Sequence, residues 1–214
     1  MIILSILFFV TALIYSSVGF GGGSTYLALL LIWGVPYTIF PVIALICNII
    51  VVSGNSFNFI RSKNLNFNLL FPYLIGSIPF AFIGGSITIE KSLFEILLFC
   101  VLLIAGIFLL IESKSFNKEQ IKINQIPKSL SIFAGSIIGF MSGIVGIGGG
   151  IFLSPLLFLM KAGYPKHITS SASLFILINS IFGIAGQLTK DRILDELINY
   201  WPLFLIVLIG GQIG

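Results

Sequence analysis

Apolar blocks of bilayer-crossing length, cut by charged residues and prolines, leave this chain few ways to fold. The first runs from Ile2 to Val18, followed by Gly19-Phe-Gly-Gly-Gly23 and a shorter piece from Ser24 to Trp33. The next covers Tyr37 to Ile60 and ends at Arg61-Ser-Lys63; others span Leu69–Ile89 and Leu93–Ile111, on either side of Glu90-Lys91. A polar stretch, Glu112 to Lys128, precedes Ser129–Val145, Gly146-Ile-Gly-Gly-Gly150 and Ile151–Ala162; Ile168–Leu188 and Leu197–Gly214 complete the series. A hydrocarbon core about 30 Å thick needs about 20 apolar residues per helix. Only 8% of the 214 residues are charged, about a third of the share in an average soluble domain, too few to cover a water-facing surface. The expected fold is all-α and polytopic, with the lipid bilayer as solvent.

The first ten residues lack the basic start and A-x-A site of a secretory signal, so they are expected to persist as the first membrane helix. Cys47 and Cys100 lie inside apolar blocks and read as small buried hydrophobes, since a disulfide framework or metal site needs more cysteines at closer spacing. The net charge of +4 comes from 11 basic and 7 acidic residues that share the loops. Nucleic-acid binding would need Lys and Arg clustered with aromatics, and no nucleic acid, metal or cofactor is expected.

The two halves repeat. Gly19–Gly23 matches Gly146–Gly150 at an offset of 127 residues, Pro36 finds Pro165, Asn48 finds Asn179, and Phe71-Pro72-Tyr73 finds Trp201-Pro202-Leu203. A duplication accounts for this order, with residues 1–111 as first repeat, 112–128 as linker and 129–214 as second repeat. The first half continues past Gly84 into another block while the second reaches only its counterpart, Gly214, so a further helix is expected beyond the sequence. Cytoplasmic loops collect Lys and Arg, which places Arg61, Lys63 and the linker lysines inside. Parallel halves add Lys190 and Arg192 to them, and inverted halves add Lys161 and Lys166; both give 8 basic residues inside and 3 outside. Residues 2–33 as one helix would reach about 48 Å, which exceeds the core. A turn at Gly19–Gly23 that returns to its own side makes the halves inverted, and that is the expected arrangement.

Three consecutive glycines inside an apolar run cost a helix about 1 kcal/mol each relative to alanine. Broken backbone at membrane depth survives only when buried in protein or lining a polar cavity. A helix restarting after a break presents free N–H groups and a positive dipole end, the ingredients of an anion site. Paired breaks in two halves point to a midplane transport site. Helix packing is the competing reading, because Gly19-x-x-x-Gly23 and Gly146-x-x-x-Gly150 also fit the small-xxx-small pattern. A P-loop is excluded by the absence of Lys before Ser24-Thr25, and a dinucleotide fingerprint by the missing third glycine and βαβ context.

Met141-Ser-Gly-Ile-Val-Gly-Ile-Gly-Gly-Gly-Ile-Phe-Leu-Ser-Pro155, followed by Ala162-Gly-Tyr-Pro-Lys-His-Ile-Thr-Ser-Ser-Ala-Ser173, resembles the second-half signature of the TauE/SafE family of anion exporters. Gly19–Gly23 and Pro36 are similar to its paired motif, with Ala28 where the second half has Pro155. The resemblance implies a bacterial inner-membrane permease of two four-helix halves, with sulfite, sulfoacetate or related organosulfonates as substrates. Gly19, Gly21, Gly22, Gly23, Gly146, Gly148, Gly149 and Gly150 carry over as motif positions, and contact with a small anionic substrate is the role expected for them.

Polar candidates follow each break. Ser24 and Thr25 offer hydroxyls beside the first, where the second has Ile151 and Phe152. Ser170 and Ser171, with Thr169 and Ser173, open a membrane helix; they read as substrate donors or as caps and interhelical bonds. Asn48 and Asn179 read as substrate ligands or as a clasp between helices, and Gln187 ranks below them. No Asp or Glu lies deep in an apolar block, so coupling to a proton or ion gradient, though an expected partner process, has no visible carboxylate relay. His167, the sole histidine, sits beside Lys166 at a membrane boundary. The expectation is a transporter, with an anion channel or a membrane scaffold as alternatives; one histidine and no buried carboxylate make a poor catalytic set.

Overall fold

The computed structural model describes residues 2–115, 123–190 and 196–214, and all regular structure among them is helical. The helices are α1 (Ile2–Ser17), α2 (Gly23–Ile32), α3 (Phe40–Arg61), α4 (Phe67–Ser86), α5 (Lys91–Ser115), α6 (Lys128–Val145), α7 (Gly150–Leu159), α8 (Pro165–Gln187) and α9 (Trp201–Ile213). Short 3-10 turns at Tyr37–Ile39 and Ile198–Tyr200 lead into α3 and α9. Three of the helices, α3, α8 and α9, carry a proline in their first turn, where the missing N–H costs nothing. By length and composition, Tyr37–Arg61, Phe67–Ser86, Lys128–Val145 and Pro165–Gln187 can each cross a membrane. Large apolar side chains such as Phe57, Phe71, Phe99 and Phe133 are more than half exposed, as lipid requires and water does not. Cys47 is buried as expected; Cys100 instead points outward from α5. That helix also runs past Ile111 to Ser115, while 116–122 of the polar linker lie outside the described residues.

Helices α3 and α8 form the centre and run antiparallel. The start of α3 and the end of α8 line one cavity, through Pro41 and Gln187. At the opposite ends, Ser56 of α3 pairs with Ser173 of α8 at 3.3 Å, and His167 donates from Nδ1 to the Asn64 carbonyl at 2.8 Å. The Gly143 carbonyl near the end of α6 accepts from Gln187 Nε2 at 2.8 Å, yet α7 finishes back where α6 began. There the N–H of Asn124 donates to the Lys161 carbonyl at 3.0 Å, and its side chain to that of Met160 at 3.2 Å. So α6 and α7 form a helical hairpin that returns to its own side. The α1–α2 pair doubles back likewise: Tyr15 and Thr25 share a hydroxyl bond of 2.9 Å, and the Phe8 and Tyr26 rings lie 4.8 Å apart.

Against this centre, α4 and α6 lie parallel in a backbone-to-backbone seam. A methyl group on Gly135, Gly139 or Gly143 would run into the carbonyl oxygens of Tyr73, Ser77 and Ala81 in turn. From the other helix, Gly76 meets the Ile132 carbonyl and Gly84 that of Phe140. The same device repeats between α4 and α8, where Gly186 faces the Phe82 carbonyl. It appears again between α9 and α1, where Gly210 faces Phe9 and Gly214 faces Leu13. Small residues allow this approach, and packing then holds helices that lipid does not push together.

Candidate functional site

Both glycine segments interrupt a helix, and backbone geometry explains their composition. Gly19 closes α1 in the left-handed region (φ 83°), with its N–H on the Ser16 carbonyl at 3.0 Å. Gly146 closes α6 in the same way (φ 91°), donating to Ser142 at 2.8 Å. Gly22 and Gly149 then start α2 and α7, again left-handed (φ 83° and 80°), and Gly148 shares that conformation (φ 81°). Side chains rarely adopt it. The other three motif glycines have ordinary φ but no room: Gly21 abuts Asn48, Gly150 abuts Ile176, and Gly23 faces both Asn48 and the Ile147 carbonyl.

The two breaks therefore touch, with Asn48 between them. Its Nδ2 donates to the Ile147 carbonyl at 3.0 Å, and its Oδ1 lies beside Gly21 and Gly23 with no hydrogen-bond partner. Gly148 packs on the same amide and on Ser180, whose hydroxyl is buried and equally unpartnered. Among the described residues, no acceptor meets the N–H groups of Gly21, Gly22, Gly23 and Ser24, nor those of Ile147, Gly148, Gly149, Gly150 and Ile151. All but Ser24 and Ile151 are buried residues. Free N–H groups are normal in a first turn, but in hydrocarbon each costs several kcal/mol. Two rows of them, on the two breaks that meet at Asn48, put unpaired donors at the N-terminal ends of α2 and α7, where the helix dipole is positive.

The remaining sequence candidates divide. Thr25 shares a hydroxyl bond with Tyr15, whose ring packs on Gly22 of the first break. Asn179 is fully buried, but its Nδ2 donates to Phe175 on its own helix at 2.9 Å and its Oδ1 is unpartnered. The hydroxyls at the start of α8 are dispersed: Ser170 donates to the Asn64 carbonyl at 2.8 Å, Thr169 to Pro165 at 3.1 Å, and Ser171 has no partner. Phe59 and Thr169 pack against Gly19, at the end of the molecule that carries His167. The opposite end holds an open cavity of about 430 Å³ whose lining includes Gln187 and Lys190. Gln187 is fully buried, a stronger position than its place near a loop indicated.

A family model described as sulfite exporter TauE/SafE matches residues 4–214. The chain belongs to the TauE/SafE family. A probable membrane transporter protein of Sinorhizobium fredii is 28% identical over 216 residues, 99% of this chain and 85% of that one. Another, from Methanocaldococcus jannaschii, is 29% identical over 199 residues, 88% of this chain and 73% of the relative. YunE of Bacillus subtilis, also described as a probable membrane transporter, is 21% identical over 243 residues, 100% of this chain and 86% of its own. No solved structure matches. As a TauE/SafE member with four helices of spanning length among the described residues, the chain is a multi-pass protein of a membrane transporter family.

Proposed function

We propose that this chain carries a small sulfur oxyanion, such as sulfite, sulfoacetate or a related organosulfonate, bound by backbone N–H groups where the two glycine breaks meet. The observation that carries this reading is the double row of buried N–H groups without acceptors around Asn48. An oxyanion satisfies several such donors at once, and the dipoles of α2 and α7 favour its charge. Asn48 fills the space between the breaks, so admitting substrate requires its amide to move. The glycines at 19, 21–23, 146 and 148–150, with Asn48 and Ser24, make up the site on this reading. Asn179, Thr25, Ser170 and Ser171 serve the helices that frame it.

Two features favour a carrier over a channel: the Lys190 end holds an open cavity, and at the His167 end Ser56 meets Ser173 and Phe59 packs on Gly19. Alternating access by rocking one half against the other fits this one-sided opening. The antiparallel course of α3 and α8, and the two returning hairpins, favour inverted repeats at 1–111 and 129–214 joined by 112–128. Arg61, Lys63, Lys161 and Lys166 then share the His167 end, and Lys190 lies opposite. Lys and Arg bias makes the His167 end cytoplasmic, in the inner membrane of a bacterium. Export follows from the family description alone, and no catalytic role is assigned.

Two measurements test this. Proteoliposomes of the folded chain are expected to take up radiolabelled sulfite saturably, with competition by sulfoacetate and little by chloride. Gly23→Ala, whose methyl group would sit 2.6 Å from Asn48 Nδ2 and 2.8 Å from the Ile147 carbonyl, is expected to reduce that flux several-fold. Absence of saturable flux for every sulfur oxyanion tried would sink the proposal. For topology, a membrane-impermeant thiol reagent added to intact cells should label Lys190→Cys and leave Lys63→Cys unlabelled until the cells are opened. The reverse order would mean the orientation is upside down.

A further inference from the structure

The open cavity at the Lys190 end is built around a cation that nothing neutralises among the described residues. It lies where the end of α8, the α4–α5 turn and the approach to α3 meet, with Lys190, Gln187, Thr88, Tyr37 and Pro41 in its wall. Lys190 Nζ donates to Gln187 Oε1 at 2.8 Å, and Gln187 Nε2 donates in turn to the Gly143 carbonyl of α6 at 2.8 Å. The buried amide is pinned on one side and orients the ammonium on the other. Being neutral, it leaves the charge intact, and an ammonium has three protons to give.

A helix-capping role does not account for this lysine. The last carbonyls of α8 are met by other groups: Gly186 by the Thr189 hydroxyl at 2.7 Å, and Gln187 by the Lys190 N–H at 3.1 Å. Of the described carboxylates nearby, Glu196 accepts at 2.9 Å, in an exposed bond, from Thr38 Oγ1, itself in the cavity wall, and Glu90 is exposed on the α4–α5 turn; neither pairs with Lys190 among the described residues. Half-burial lowers the Lys190 pKa to about 8, which leaves it cationic at neutral pH. The hydroxyls of Tyr37 and Thr88 line the cavity and have no hydrogen-bond partner among the described residues. Pro41 and Ile144 also line the cavity, and Pro41 packs directly on Gly146, where the second break begins.

We infer that this cavity is a second oxyanion site in series with the glycine breaks, with Lys190 as its charge-selecting group and Gln187 as the residue that positions it. That the anion held here is also the one transported rests on the proposed function; the preference of the cavity for anions does not. A cation in a partly desolvated cleft raises the local concentration of anions before they reach the narrow space at Asn48.

The test places a thiol in the wall and asks which charge reaches it. Thr88→Cys in the full chain is treated with two methanethiosulfonates of similar size, one carrying a sulfonate and one a trimethylammonium. Rates are referred to a free thiol, with the chain lacking the added cysteine as background. The sulfonate reagent is expected to react about 10-fold faster than the cationic one, and added methanesulfonate to slow it. Lys190→Gln and Lys190→Met, as independent neutral variants checked for folding, should each erase the preference, and Lys190→Arg should keep it. Equal rates with Lys190 present, or a preference that survives both neutral variants, would overturn the site. Charge preference without sulfite flux in liposomes would uphold this site and remove the transport reading; flux without charge preference would do the opposite.

Discussion

Replacing Gly148 with alanine is expected to abolish sulfite flux and lower thermal stability, while alanine at Gly34 leaves flux intact. Both residues have positive φ, 81° and 65°, so each substitution carries the left-handed penalty of about 1–2 kcal/mol. Their surroundings differ. A methyl group at 148 would lie 2.8 Å from Asn48 Nδ2, 2.9 Å from Ile176 and 3.0 Å from the Ser180 hydroxyl, whereas nothing lies within 4 Å of one at 34. Overpacking adds about 1–3 kcal/mol at 148, and it falls on the groups that hold the two breaks together. Unfolding in detergent and flux in proteoliposomes, measured on both variants, separate backbone strain from site geometry. Wild-type flux in folded Gly148→Ala would mean that the fit around Asn48 does not govern transport.

Gly139→Leu is the second large effect, and it acts on assembly. A Cβ at 139 would overlap the Ser77 carbonyl oxygen and stand 2.6 Å from Ser77 Cα. Backbone cannot turn aside as a side chain can, so α4 and α6 must part along the seam that Gly135 and Gly143 extend. The expected cost is about 3 kcal/mol or more, read as loss of monodisperse protein on extraction. Gly106→Leu on α5 is the control: nothing lies within 4 Å of its added carbon, and leucine is a better helix former by about 1 kcal/mol. Equal yields for the two variants would remove the seam from any account of stability.

The helical blocks were legible because charge is so sparse that each charged residue punctuates. Block ends followed Arg61 closely, but α5 ran past Ile111 because Glu112 and Lys114 do not stop a helix as they stop an apolar run. A bend or re-entrant turn at Gly19–Gly23 was legible from length, since residues 2–33 exceed one bilayer, but length does not say which; the contacts between α1 and α2 show that the chain doubles back. The Lys and Arg count was silent on repeat orientation, because both arrangements distribute the same number of charges. Partner choice was unreadable: nothing in the sequence says that Gly135, Gly139 and Gly143 meet Tyr73, Ser77 and Ala81. The two asparagines look equivalent in sequence, yet Asn48 reaches across to Ile147 while Asn179 turns to Phe175. That difference depends on which carbonyl each rotamer finds after assembly. Lys190 reads as a loop charge, and only the α4–α5 turn folded against it makes a cavity.

The seam between α4 and α6 has a thermodynamic consequence of its own. Glycine has no rotamers to lose, so bringing Gly135, Gly139 and Gly143 against bare backbone freezes almost no side-chain freedom, whereas docking leucine or methionine faces would cost up to about 2 kcal/mol for each flexible residue. The contact is also indifferent to rotamer hopping. Warming the protein should therefore loosen contacts between flexible side chains well before it loosens this line of carbonyls and α-carbons, which leaves a stiff keel along which softer parts can shift.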